Sequence, residues 1–250
     1  MRQAAQLERQ VMNSERKVAV VTGASQGIGA GIVEAFRRRD YGVVATSRSI
    51  KPSDDAEILA VPGDIGDPRT AQRVLSATLE RFGRVDTLVN NAGMFMAKPF
   101  TAYTQADYDA YVSTNVSGFF HMTQRALDVM GKQGRGHVIT ITTSLVDQPM
   151  NSVPAALASL TKGGLNAATR SLAIEYASTG VRVNAVSPGI IKTPMHPPEA
   201  HQTLAGLHPA GRMGEISDIV DAVLYLDGAN FVTGEILHVD GGQAAGHHRI

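Results

Sequence analysis

The clearest candidate for chemistry is the stretch Thr22-Gly23-Ala24-Ser25-Gln26-Gly27-Ile28-Gly29, which joins a short apolar run to a segment of helical period. A glycine-rich turn entering a helix lets the backbone approach a pyrophosphate. The unpaired N–H groups and the helix dipole favour negative charge at the same place. The turn therefore reads as a phosphate cradle. The next apolar run ends Ala45-Thr46-Ser47-Arg48, where the Arg48 guanidinium offers a fork of donors suited to a phosphate and Ser47 adds a hydroxyl. Two histidines, His196 and His201, lie in a proline-bearing segment running to His208. They are either proton donors matched to neutral pH or exposed loop histidines. His247 and His248 lack the spacing and neighbouring ligands of a metal site and are expected in a solvated tail.

The elements that must position these groups alternate along the chain. Val/Ile-rich runs at Lys17–Val21, Gly42–Ser47, Glu57–Val61, Val85–Val89, His137–Thr143, Val181–Val186 and Ile236–Val239 are separated by longer helical segments. Near-continuous apolar runs suit strands buried on both faces, joined by right-handed helical crossovers. The expectation is one doubly wound α/β domain over 17–250 with a seven-stranded parallel sheet. Asp67-Pro68 predicts a cap followed by the first helical position, and Gly83 closes the helix over Thr70–Arg81. Residues 1–16 form an N-terminal extension, either a weak helix or a mobile arm, with no function assigned.

Composition removes several classes. The chain has 250 residues with 23 Lys+Arg against 23 Asp+Glu, so the positive excess of a nucleic-acid footprint is missing. With no cysteine, thiol catalysis and Cys-based zinc sites are excluded. No apolar stretch approaches the roughly 18 residues of a membrane span, and the charged first sixteen residues lack a signal-peptide core. The expected setting is cytoplasmic, with no nucleic-acid or membrane partner and no metal.

The spacing Gly-x-x-x-Gly-x-Gly from Gly23 to Gly29 resembles that of the short-chain dehydrogenase/reductase family, and further motifs agree. Asn90-Asn91-Ala92-Gly93 follows the fourth run, and Asn115 lies within Asn-Val-Ser-Gly. Pro188-Gly189 follows the sixth run with Thr193 beyond it, and Phe231-Val232-Thr233-Gly234 precedes the seventh. Together they span 17–242. The resemblance implies a Rossmann-type sheet of order 3-2-1-4-5-6-7 with a dinucleotide across the carboxyl ends of its strands. The residues implied to bind it are Gly23, Ser25, Gln26, Gly27, Ile28, Gly29, Ser47, Arg48, Asp64, Ile65, Asn91, Ala92, Gly93, Lys162, Pro188, Gly189, Ile191 and Thr193, with Asp64-Ile65 around the adenine. Arg48, in place of a carboxylate, favours NADP(H) over NAD(H). Gln26 stands where many NADP-using relatives carry Arg or Lys.

For hydride transfer the family uses a Tyr as acid, a Lys four residues later, a Ser after the fifth strand and a helix Asn. The resemblance assigns these roles to Lys162, Ser144 (with Thr143 as alternate) and Asn115. The position four before Lys162 is Ala158, which has no ionisable group. Ser144 lies 14 residues before Ala158 where the family more often shows 13, implying an insertion within 145–154 or a displaced serine. Loss of a general acid costs about 10²–10⁴ in rate. Lys162 with a water, or a histidine of the loop, would then supply the proton. Tyr111, one turn before Asn115, is expected to pack.

The reading is an NADP(H)-dependent oxidoreductase acting on a carbonyl or alcohol with an altered proton-donor site. The alternative is a catalytically silent nucleotide-binding protein acting as sensor or assembly partner. The helical segments Ala106–Met130 and Ala155–Ala177, the latter with Leu165, Ala168, Leu172 and Tyr176 on one face, imply a homotetramer or homodimer by resemblance. A substrate lid is expected around 194–214. Met94, Phe95, Met96, Phe100 and Met195 suggest an apolar pocket for a small-molecule substrate.

Overall fold

The computed structural model describes residues 16–246. Most of the N-terminal extension and both His247 and His248 lie outside the described residues. Seven strands form one parallel sheet of order β3-β2-β1-β4-β5-β6-β7, as expected. They are β1 (Val18–Thr22), β2 (Gly42–Ser47), β3 (Ile58–Pro62), β4 (Thr87–Asn90), β5 (Gly136–Ile141), β6 (Val181–Pro188) and β7 (Ile236–Val239). Strand ends differ from the sequence reading by at most two residues, because the first and last rungs depend on a neighbour strand and not on local sequence.

Alternating strand residues feed two cores. Ala19, Val21, Val43, Val89 and Ile139 face α1 (Gly27–Arg38) and α7 (Ile216–Gly228), packing on Ile32, Phe36, Ile219 and Leu226. Val18, Val20, Val44, Leu88 and Val138 face α2 (Pro68–Phe82), α4 (Gly118–Gln133) and α5 (Ala156–Tyr176), where Val74, Met122, Met130 and Ala173 meet them. Helices therefore cover both faces of the sheet. The α2 signals act as read: the Asp67 side chain accepts from the Arg69 amide, and Gly83 adopts the left-handed conformation at the end.

The segment expected as one long helix from Ala106 to Met130 is divided. A short α3 (Gln105–Tyr111), opened by a capping box between Thr104 and Asp107, runs into a π-helical turn at Val112–Ser117 before α4 begins. Periodicity does not reveal such a turn, because its cause is tertiary: the one-residue widening buries Asn115 inward. After β6 the chain leaves at Ile191 and returns at Gly214, pinned by Lys192 N–H to Gly214 O (2.8 Å) and Gly214 N–H to Ile190 O (3.0 Å). This excursion carries the single-turn helix α6 (His201–Ala205). No helix among the described residues is long and apolar enough to cross a membrane.

Candidate active site

Loops leaving the carboxyl ends of the strands enclose a cavity of about 670 Å³. Its wall contains Gly23, Ser25, Gln26, Gly27 and Ile28 after β1, Ser47 and Arg48 at the end of β2, and Asp64 and Ile65 after β3. Asn91, Ala92 and Gly93 join from the β4 loop, Thr143 and Ser144 from β5, Lys162 from α5, and Pro188, Gly189, Ile191 and Thr193 from the end of β6 and beyond. Two expected residues, Gly29 and Asn115, do not line it. Gly29 is buried behind the turn, where a Cβ would lie 2.3 Å from the Gly23 carbonyl oxygen, so its role is to let α1 approach the strand.

The turn is held from behind by side chains at the end of β1 and just after β4. Thr22 Oγ1 accepts the Asn91 and Ala92 amides at 3.0 and 2.9 Å, and Asn91 Nδ2 donates to the Thr22 and Gly23 carbonyls at 2.9 and 3.1 Å. Gly23, at φ +63°, would carry a Cβ 2.9 Å from Ala92 Cα. At the mouth of α1 the cap residue Gln26 makes no side-chain cap bond and the first turn holds no acid, so the helix terminus is unneutralised. Beside it the buried Ser47 Oγ has no partner, and Arg48 is exposed. Amide donors, a guanidinium and an unsatisfied hydroxyl fit the phosphates of a dinucleotide.

At the other end Lys162 Nζ donates to the Thr142 carbonyl at 2.9 Å. Removal from water pushes this ammonium down to about 8. Behind the wall, Asn115 Oδ1 accepts the Met94 amide at 3.0 Å, and its Nδ2 donates to Thr161 Oγ1 at 3.2 Å, one residue before Lys162. Ser144, 1% exposed, donates its hydroxyl to Gln243 Oε1. Gln243 is a cavity residue that the sequence reading missed; its one signal was a polar residue directly after Gly241-Gly242.

Ala158 is 0% exposed and takes no part in the cavity wall. It packs in an apolar cluster with Tyr111, Leu145 and Leu157, covered by Met94, Phe95, Met150 and Val153. Tyr111 packs as expected, pushed up to about 12 by burial, its hydroxyl accepting the Met96 amide at 2.6 Å. His196 lines the cavity, and burial followed by neighbouring His201 holds it below the usual imidazole range. His201 contacts the His196 carbonyl through Nε2 at 3.0 Å and is not in the wall. Met94, Phe95 and Met195 line the pocket, whereas Met96 and the largely exposed Phe100 do not. Among the described residues no cluster of His, Asp and Glu could hold a metal ion.

Residues 23–244 match the family described as Enoyl-(Acyl carrier protein) reductase. This chain belongs to the short-chain dehydrogenase/reductase family. Like other members of these oxidoreductases, it carries the glycine turn, the β4 loop and the lysine helix around one cleft. The 3-oxoacyl-[acyl-carrier-protein] reductase FabG of Escherichia coli (strain K12) is 37% identical over 242 residues, covering 92% of this chain and 98% of that protein. Among solved structures, ElxO with NADP bound matches at a TM-score of 0.87 with 28% identity, covering 92% of this chain and 100% of that one. The 3-ketoacyl-(acyl-carrier-protein) reductase from Brucella melitensis complexed with NADH matches at 0.85 with 29% identity, covering 91% and 98%.

Proposed function

We propose that this chain is an NADP(H)-dependent oxidoreductase interconverting a carbonyl and an alcohol, with a proton-transfer site that lacks the tyrosine its family uses. The observation that carries this reading is one cavity bearing Arg48 and the uncapped α1 terminus toward one end and Lys162 toward the other. Relatives occur with either nicotinamide dinucleotide, so the preference rests on Arg48 and Ser47, whose donors suit a 2′-phosphate.

When bound, the nicotinamide supplies or takes up the hydride. The amides of Ser25–Ile28 would face the diphosphate, Asp64 and Ile65 would flank the adenine, and Asn91, Ala92 and Gly93 would back the ribose. Pro188, Gly189, Ile191 and Thr193 would close the nicotinamide end, and Lys162 would hold its ribose. Asn115, fixed between Met94 and Thr161, keeps the π-turn facing the lysine helix. Ala158 stands at the family's Tyr position, and its enclosure leaves no side chain there to donate a proton. The proton then comes from Lys162 through a water, with His196, also in the wall, as the alternative donor. The excursion over 194–214 acts as the substrate lid of a single domain over 17–250. Met94, Phe95 and Met195 receive an apolar or acyl substrate. The assembly is a homotetramer or homodimer.

The enclosed Ala158 also favours a second reading, a nucleotide-binding sensor or assembly partner without turnover. Paired titrations with NADPH and NADH, followed by hydride-transfer assays on ketones, aldehydes and 3-oxoacyl thioesters, separate the two. Tighter NADPH binding with turnover supports the oxidoreductase. Binding without turnover selects the sensor, and binding of neither nucleotide refutes both.

A further inference from the structure

The last strand is followed by Asp240-Gly241-Gly242-Gln243, which folds the chain back toward the cavity. The Asp240 carboxylate accepts the Gly242 amide at 2.9 Å and the Ala244 amide at 2.7 Å, so the turn is rigidly closed. It delivers the Gln243 side chain, 1% exposed, to the cavity beside Ser144. The orientation of the amide follows from its two partners. Nε2 donates to Met150 Sδ at 3.3 Å, leaving Oε1 to take the Ser144 hydroxyl hydrogen. A serine hydroxyl has one hydrogen and two acceptor sites. With the hydrogen committed to Gln243, Ser144 can offer a ligand only lone pairs. A carbonyl oxygen binds there only if Ser144 abandons Gln243 and leaves a buried acceptor unpaired, whereas an alcohol O–H is received without that loss.

We propose that Gln243 is a specificity-determining residue which, by holding Ser144 as a hydrogen-bond acceptor, makes the cavity prefer hydroxyl-bearing ligands over the matching carbonyl compounds. This rests on the cavity being a carbonyl/alcohol site. Gln243 acts through Ser144 and is in that sense a positioning residue.

Two measurements on the full chain test it. The first is calorimetric binding of ethyl 3-hydroxybutyrate to the NADPH complex and of ethyl acetoacetate to the NADP⁺ complex, both unable to turn over. The wild type should bind the hydroxy ester more tightly. Gln243→Leu should lower the hydroxy-to-keto affinity ratio at least tenfold, and Gln243→Glu, which keeps the acceptor, should preserve it. A merely structural role would weaken both esters equally. The second needs no ligand: Ser144→Ala, Gln243→Leu and the double variant form an unfolding cycle whose coupling should reach about fivefold in the unfolding constant. An unchanged ratio in Gln243→Leu, no binding of either ester, or additive single variants overturns the proposal. Loss of NADPH binding by the wild type would instead refute the oxidoreductase reading itself.

Discussion

If Ala158 stands at the family's tyrosine position, as proposed, Ala158→Tyr supplies the phenol, and the structure sets the consequence for both stability and rate. Ala158 is 0% exposed, in a cluster with Tyr111, Leu145 and Leu157 against which Met150 and Val153 pack. Inserting a ring into a filled core typically costs about 1–3 kcal/mol. For a chain of this length each kcal/mol lowers Tm by about 2–4 °C, so a fall of about 2–12 °C is expected. The route open to the ring is past Ser152 and Val153, which line the cavity and are held near Met150 by a single strand-like bridge at Met150–Val153. A ring displacing that hairpin enters the cleft on the same helical face as Lys162, one turn away. Turnover on a ketone that the wild type reduces slowly should then rise at least tenfold, toward the 10²–10⁴ that a general acid contributes. Thermal unfolding and NADPH-oxidation assays on the same sample decide it. An unchanged or higher Tm would show that Ala158 is not enclosed as described. An unchanged rate with intact NADPH binding would refute the argument that a missing acid limits the enzyme.

Further outcomes follow from other groups. Arg48→Glu should weaken NADPH by on the order of tenfold to a hundredfold and NADH far less, as measured by titration; equal losses would remove the 2′-phosphate assignment. If Lys162 supplies the proton, its ammonium form is required, so kcat/KM for carbonyl reduction should be level at lower pH and fall as pH rises through about 8; a profile flat to pH 10 would exclude it. Burial, and then the Arg182 guanidinium 3.1 Å from Nδ1, hold His137 well below the usual imidazole range. The unfolded chain takes up this proton near 6.5 and the folded chain does not, so stability is full above that pH and declines as pH falls, by about 1.4 kcal/mol per unit for one group. Urea unfolding at pH 7.5 and 5.5 checks the slope, and a slope that persists in His137→Asn would assign it elsewhere.

What could be read from the chain, and what could not, divides by the range of the physics involved. Strands, crossovers and the glycine turn were legible because each is specified locally, by runs of Val and Ile, by caps such as Asp67 and by glycines whose spacing a tight turn requires. Most of the wall was legible through the family resemblance, whose motifs lie at the ends of parallel strands that converge on one edge. Asn115 was expected in a helix and lies in a π-helical turn, bonded to Met94 and Thr161, 21 and 46 residues away along the chain, contacts that no local pattern announces. Gln243 was missed outright, since its partner Ser144 lies 99 residues earlier and no local pattern couples a glutamine to a serine over that distance. Ala158 shows the opposite asymmetry. Its spacing from Lys162 marked the position that the resemblance gives to an acid, but only the packing shows that Ala158 is enclosed. Apolar side chains enclose Ala158, and Ser144 is paired with Gln243 at the cavity. A phenol introduced by Ala158→Tyr must work against that packing, which is why stability and rate should move in opposite directions.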